Sequence, residues 1–196
     1  PGWAANAIGG AYEIYRIGEF LGRKDWQEKA LRILDHVLDH GFIDEETGLI
    51  RGYRDTRTQE TYLNYTHNND RFCPGLMAKN GFQLLIFTDE LGDDPRADRM
   101  RKAAVRCAAW IDKNLDPVPN GWFPRRCSPD GSVYKTRPGG GKQNRFWNSS
   151  ADGLFIIQLQ ATLTQRGLAK YKKKIARKTG VFMKAGGIFA SINHDT

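Results

Sequence analysis

The sequence predicts an all-α protein, and three observations carry that prediction. Apolar residues recur at helical spacing in six stretches. Strand-like alternation is weak throughout. The punctuation between stretches repeats with a period of about seventy residues, the mark of a repeated supersecondary unit.

Residues 3–21 carry Trp3, Ile8, Tyr12, Tyr15 and Phe20, and Gly22 follows Leu21 where a left-handed residue ends a helix. Asp25 opens residues 25–40, with Trp26, Ala30, Ile33, Leu34 and Val37 on one face. Residues 75–91 (Leu76, Phe82, Leu85, Ile86, Leu91) stop at Gly92. Asp93-Asp94-Pro95 then introduces residues 96–114, marked by Met100, Ala104, Cys107, Ala108 and Ile111. Residues 151–165 end at Arg166-Gly167, and residues 168–184 complete the set.

After each second helix comes glycine followed by two apolar residues: Gly48-Leu49-Ile50, Gly121-Trp122-Phe123 and Gly187-Ile188-Phe189. The unit is therefore a helical hairpin, with hairpins at about 3–40, 75–114 and 151–184. Long loops at roughly 41–74 and 115–150 exceed bare connectors, and loops of that size usually carry function. They gather on one face, where they also deliver the N-termini of the first, third and fifth helices.

At 196 residues the chain suits one domain or a piece of a larger one, and its 40% apolar and 11% aromatic content is too rich for a disordered tail. No apolar run approaches the ~20 residues of a membrane-spanning helix. Cys73, Cys107 and Cys127 are an odd, scattered set that fits neither a disulfide framework nor a cysteine-based zinc site, and they leave the compartment open. The net charge of +8 is local: Arg166, Lys170, Lys172, Lys173, Lys174, Arg177, Lys178 and Lys184 lie in a stretch without acids, and the other 22 basic residues balance the 22 acidic ones. Leu168, Tyr171, Ile175 and Phe182 fall near helical spacing and set most of these lysines on a solvated face, with a polyanion-binding patch as the alternative. Neither an RNA-binding sheet nor a DNA recognition helix is apparent, so nucleic acid is disfavoured as a partner.

Two segments concentrate chemistry. Tyr62-Leu63-Asn64-Tyr65-Thr66-His67-Asn68-Asn69-Asp70-Arg71-Phe72 precedes the third helix, and Asn144-Arg145-Phe146-Trp147-Asn148-Ser149-Ser150-Ala151-Asp152 precedes the fifth. Both contain Arg-Phe, Asn and Asp. Sugars need this mixture, with amides and carboxylates for hydroxyl groups and aromatic faces for the apolar side of the ring. Asp70 and Asp152 also suit plain helix capping. The basic run Arg125-Arg126 and the segment Arg137-Pro138-Gly139-Gly140-Gly141-Lys142 add cations and a flexible glycine run to the second loop, which reads equally as a lid favouring acidic sugars or as plain flexibility. That glycine run does not lead straight into a helix, which excludes a phosphate cradle. His36 and His40 lie four apart but lack a third metal ligand, and Asp44-Glu45-Glu46-Thr47-Gly48 reads as a solvated turn rather than a calcium loop.

Hairpins of this period, with long loops before alternate helices, resemble the (α/α) toroids of six-hairpin glycosidases and related polysaccharide lyases. The resemblance covers the whole chain as a pattern of helices, glycines and aromatics. It implies about half of an (α/α)6 toroid, carbohydrate processing and no cofactor or metal. The partner would be an oligo- or polysaccharide, with a homodimer or the remaining hairpins covering the exposed edge.

Glycoside hydrolysis needs two flanking carboxyl groups, for which Asp70 and Asp152 occupy equivalent places and Asp55 and Glu60 are reserves. β-Elimination on a uronate needs instead a Tyr or His base and an Asn or Arg against the carboxylate, as in toroid lyases; Tyr65, His67, Asn69, Arg71 and Arg145 fit those parts. Hydrolysis is narrowly preferred, with catalytic candidates Asp70, Asp152, His67 and Tyr65. Substrate contacts are expected from Tyr62, Asn69, Arg71, Phe72, Asn144, Arg145 and Trp147, and Trp3 and Asn6 are expected near the same face. A non-catalytic helical scaffold for a protein partner is the competing class.

Overall fold

The structure is a computed structural model that describes residues 4–64, 67, 69–115, 118, 121–133 and 151–184. Six helices dominate: α1 (Ala4–Phe20), α2 (Lys24–Asp39), α3 (Pro74–Leu91), α4 (Pro95–Asn114), α5 (Gly153–Gln165) and α6 (Lys172–Lys184). A two-stranded hairpin, β1 (Tyr53–Arg54) and β2 (Thr61–Tyr62), lies between α2 and α3. The first five helices begin and end within two residues of the predicted ranges.

The helices pack in two rows. α1 lies along α2 and α3 along α4, while α3 also sits between α1 and α5; α4 touches α2 and α5, and α6 lies against α5. Composition explains the division. α3 buries Met77, Ala78, Leu84, Leu85 and Phe87 together with Asn80 and Thr88, a spread that suits a helix covered on several sides. α2 buries only Ala30, Leu34, Val37 and Leu38, one stripe of an amphipathic helix. At the crossing of α3 with α4 and α5, a Cβ on Gly81 would stand 3.2 Å from Leu159 and 3.3 Å from the Cys107 sulfur, so the absence of a side chain sets the spacing.

The repeating glycines have repeating conformations. Gly22, Gly92 and Gly167, which close α1, α3 and α5, take φ of 65°, 55° and 69°. After α1 the Arg23 amide donates to the Gly18 carbonyl at 2.7 Å, and after α5 the Leu168 amide donates to Leu163 at 2.9 Å, satisfying helix-end carbonyls as such motifs do. The Gly-apolar-apolar motif is equally regular. Gly48 and Gly121 have φ of 84° and 80°, and the pairs Leu49-Ile50 and Trp122-Phe123 are buried. Each turn meets the outer helix of the following hairpin, Gly48 against Arg106 of α4 and Gly121 beside Val181 of α6. Gly187-Ile188-Phe189 lies outside the described residues.

Four expectations are corrected. The β hairpin is not foreseen by alternation, because its strands are two residues long. It forms through turn hydrogen bonds, with the Asp55 amide donating to Glu60 at 2.9 Å and the Gln59 amide to Asp55 at 2.8 Å. α6 opens at Lys172 rather than at residue 168, because Gly167 is left-handed and the Tyr171 amide donates to the Thr164 hydroxyl at 3.2 Å. Asp25 does not cap α2; Arg23 holds the cap position, and Asp25 forms a two-pronged ion pair with it at 2.8 Å. Lys178 is not on the solvated face but buried, donating to the Gly121 carbonyl at 2.6 Å and standing 4.6 Å over the Phe123 ring. Among the described residues, no helix is long and apolar enough to cross a membrane.

Candidate active site

The β hairpin turns the first long loop back on itself and brings together residues that the sequence spreads over fifteen positions. Register pairs Tyr53 with Tyr62 and Arg54 with Thr61. The two phenol rings therefore share one face, with centroids 6.3 Å apart and planes 30° from parallel. His67 enters against both, edge-on to Tyr53 at 5.0 Å and to Tyr62 at 5.2 Å.

Asp55, directly after β1, is 3% exposed. Its Oδ1 accepts the Arg57 amide at 2.7 Å, an Asx turn that shapes the loop. Its Oδ2 lies 2.9 Å from His67 Nε2 and 3.5 Å from the Arg57 guanidinium. The Arg57 amide, opposed by burial and reinforced by His67 and the Arg57 side chain, lowers the Asp55 carboxyl to about 2. At neutral pH Asp55 is thus ionised and can only accept. Nε2 of His67 carries the proton, and Nδ1 is the basic nitrogen of the neutral ring. The imidazole remains 47% exposed while its far nitrogen is anchored. His67 also has φ of 53°, a left-handed backbone that is uncommon for a residue with a side chain and that the surrounding bonds must hold.

The hairpin supplies further polar groups. The Tyr62 hydroxyl donates to Glu60 Oε2, and Glu60 raises the Tyr62 pKa above its ordinary value. Arg54 donates to the Gln59 side chain at 2.6 Å, and its Nε and Nη1 are buried without a hydrogen-bond partner among the described residues. Asn69 braces the loop, its side-chain oxygen accepting the Leu63 amide at 2.8 Å.

A second locus lies where the N-termini of α3 and α5 meet. A Cβ on Gly75 would stand 2.4 Å from the Asp152 carbonyl oxygen, so only glycine permits this approach. The Asp152 side chain does not cap α5; its Oδ2 accepts from the buried Cys73 thiol at 3.6 Å. Burial, and then Asp152, pushes Cys73 up to about 11, so it is a thiol at neutral pH. Beside it a small cavity is lined by Leu63, Asn64, Cys73, Asn80 and Arg126. Asn80 is buried there, and its carboxamide oxygen has no partner among the described residues, which makes it an acceptor for a hydroxyl group.

The expected site residues divide as follows. His67 and Tyr62 are brought together with Asp55 and Glu60, the former reserves. Asp70 is exposed in the bend after Asn69, Arg71 is partly buried, and Asp152 belongs to the α3–α5 junction. Phe72 is not a stacking platform. It is 2% exposed, packs on Trp110 at 5.5 Å, and its backbone exchanges hydrogen bonds of 2.9 and 3.0 Å with Cys127. Tyr65, Asn144, Arg145, Trp147 and Trp3 lie outside the described residues; Asn6 is exposed on α1. Tyr53 was missed, although its two-residue offset from Asp55 placed it on the same short segment.

The paired histidines of α2 stack at 4.4 Å, with His40 Nδ1 3.0 Å from the His36 carbonyl oxygen. Among the described residues no group of three metal-ligating side chains occurs. Asp44 forms a local turn, accepting the Glu46 and Thr47 amides at 3.1 and 2.9 Å.

What the fold and site define is a mostly helical, two-row protein with a carboxylate-anchored imidazole between two phenols. Comparison with family models, curated proteins and solved structures finds no match to this chain.

Proposed function

We propose that the chain is a carbohydrate-processing enzyme that cleaves a uronate-containing polymer by β-elimination, with His67 as the base. The observation that carries this reading is the buried, ionised Asp55 holding His67 Nε2 at 2.9 Å between Tyr53 and Tyr62. A buried carboxylate behind an imidazole fixes its tautomer and orientation and stabilises the imidazolium formed when the ring takes a proton. In the reaction Nδ1 takes the hydrogen α to the uronate carboxylate. That electron pair becomes the ring double bond, the glycosidic C–O bond at the β position breaks, and the departing oxygen takes a proton from Tyr62 or water. Arg71 is assigned to the substrate carboxylate. Tyr53 and Tyr62 supply the aromatic faces on which a sugar ring stacks.

Glycoside hydrolysis is the second reading, favoured by Asp152, whose carboxylate meets the Cys73 thiol at the α3–α5 junction rather than capping α5. The proposed wider architecture is part of an (α/α) toroid. It is supported by the two rows of helices, and by Ile14 and Ile17 of α1 with Leu21 just after it, which leave an exposed apolar stripe beside Phe20, itself 88% exposed. Further hairpins or a second copy would cover that stripe.

Turnover of polygalacturonate and alginate oligosaccharides, followed by the ultraviolet absorbance of the unsaturated product, tests the reading. His67→Ala is expected to lower kcat by about 10²–10⁴, the usual contribution of a positioned acid or base. Asp55→Asn is expected to lower kcat with little change in KM. Full turnover by a folded His67→Ala protein would remove the imidazole from the chemistry.

A further inference from the structure

We propose that the outer face of α6 is a binding surface for an extended acidic polysaccharide, separate from the His67 site. Lys173, Arg177, Gly180 and Lys184 stand at i, i+4, i+7 and i+11, so all four lie on one side of the helix. Lys173, Arg177 and Lys184 are exposed, as are Lys170 in the preceding turn and Lys172. None of these five cations forms an ion pair with a described residue, whereas Lys174, one position over, is bound to Asp112 and Lys178 is buried against Gly121. Like charges at i and i+4, as in Lys173 and Arg177, weaken a helix. The chain keeps them with no acid between Arg166 and Lys184, and they belong to the stretch that holds the whole excess positive charge.

Gly180 is the second, independent observation. Glycine inside a helix destabilises it relative to alanine. Gly180 lacks a positive φ, and a Cβ there would meet nothing within 4 Å among the described residues. Neither backbone conformation nor packing calls for glycine. It leaves a bare backbone patch between Arg177 and Lys184, where a ribbon-like polymer can approach closely while the flanking cations reach its carboxylates.

The surroundings of the stripe select the polymer. By helix rise, Lys173 and Arg177 are ~6 Å apart along the axis, and Arg177 and Lys184 ~10 Å. Among the described residues the stripe lacks an aromatic platform for bases, since Phe182 is buried and Tyr171 is partly buried before the helix. An acidic polysaccharide, with one carboxylate per sugar and no stacking requirement, fits better. The identity of the polymer rests on the uronate reading above; the existence of the surface does not.

The test is fluorescence anisotropy of a labelled polygalacturonate oligosaccharide with the full chain, at about 50 and 200 mM salt, against single-stranded DNA of matched charge. The expected result is saturable binding that weakens tenfold or more at the higher salt. Lys173→Glu/Arg177→Glu weakens it at least tenfold, to what the His67 site alone contributes, and Gly180→Gln weakens it at least threefold while the helix gains stability. Unchanged affinity in the folded double variant overturns the proposal, as does tighter binding of the DNA. His67→Ala separates the two readings: that variant binds as the wild type does. Binding by the stripe without any turnover sinks the reaction and leaves the surface standing. Turnover by a chain whose oligosaccharide binding does not depend on Lys173 and Arg177 does the reverse.

Discussion

Gly48 measures how firmly each loop is docked on the next hairpin. Replacing it with alanine places a Cβ on a backbone with φ of 84°, 2.7 Å from the Arg106 carbonyl oxygen and 2.9 Å from its carbon. The left-handed backbone costs about 1–2 kcal/mol for a residue with a side chain. The clash is with the main chain of α4, which cannot rotate away, and overpacking of that kind adds about 1–3 kcal/mol. Gly48→Ala is therefore expected to destabilise by about 2–5 kcal/mol. Gly22→Ala is the control, because Gly22 also has positive φ, 65°, but a Cβ there would meet nothing within 4 Å. Alanine lowers unfolded-chain entropy at both sites, so that gain cancels in the comparison. Urea denaturation of the two variants should thus differ by about 1–3 kcal/mol, and their Tm values by about 2–12 °C for a chain of this size. Equal destabilisation of both would refute the docking of the Gly48 turn on α4.

Two pH measurements test the buried charges. Burial, then Arg177 and Lys174, lowers the Lys178 ammonium from 10.5 to about 8. Below about 8 the folded and unfolded chains both hold the proton; between about 8 and 10.5 only the unfolded chain does, so stability rises with pH across that window. The rise should be absent in Lys178→Met, and a Lys178→Met stability profile parallel to the wild type through pH 10 would contradict it. Asp55 has the same sign at the acid end, since its folded pKa is also the lower one. Its carboxyl is lowered from 3.8 to about 2, so its contribution is complete above 3.8 and is lost as pH falls through about 2. The stability difference between wild type and Asp55→Asn should shrink over that range, and a gap independent of pH would mean that Asp55 acts only through packing.

Much of the helical framework is legible in the chain because its signals are local. The left-handed turns after α1, α3 and α5 were visible as glycines following apolar stretches, and Asp94 before Pro95 does cap α4, accepting the Arg96 amide at 2.8 Å. The repeated Gly-apolar pair was legible as a pattern, but its partner helix was not, since the contact of Gly48 with Arg106 spans the intervening hairpin. Lys178 was not told apart from the other lysines of its stretch for a related reason. Its charge marks it as a surface lysine although its spacing puts it on the face of Tyr171, Ile175 and Phe182, and the tertiary approach of Gly121 and Phe123 supplies a carbonyl and a ring that make its burial tolerable.

The site was legible in residue type and partly illegible in role. The run from Tyr62 to Phe72 stood out by composition, yet Phe72 turned inward because Cys127 pairs with its backbone and Trp110 with its ring. Asp55 outranked Asp70 as the chemically informative carboxylate through a fold too short to read. Two-residue strands carry no periodicity, and the turn that joins them is specified by Asp55 itself.

The most direct test of the central claim is the fate of solvent oxygen when the full chain cleaves a uronate oligosaccharide in ¹⁸O-labelled water. β-Elimination at His67 predicts an ultraviolet-absorbing unsaturated end, product masses that sum to the substrate, and no label at the cleaved bond. Incorporation of ¹⁸O at that bond, with saturated ends, would contradict it and return the chemistry to a pair of carboxyl groups.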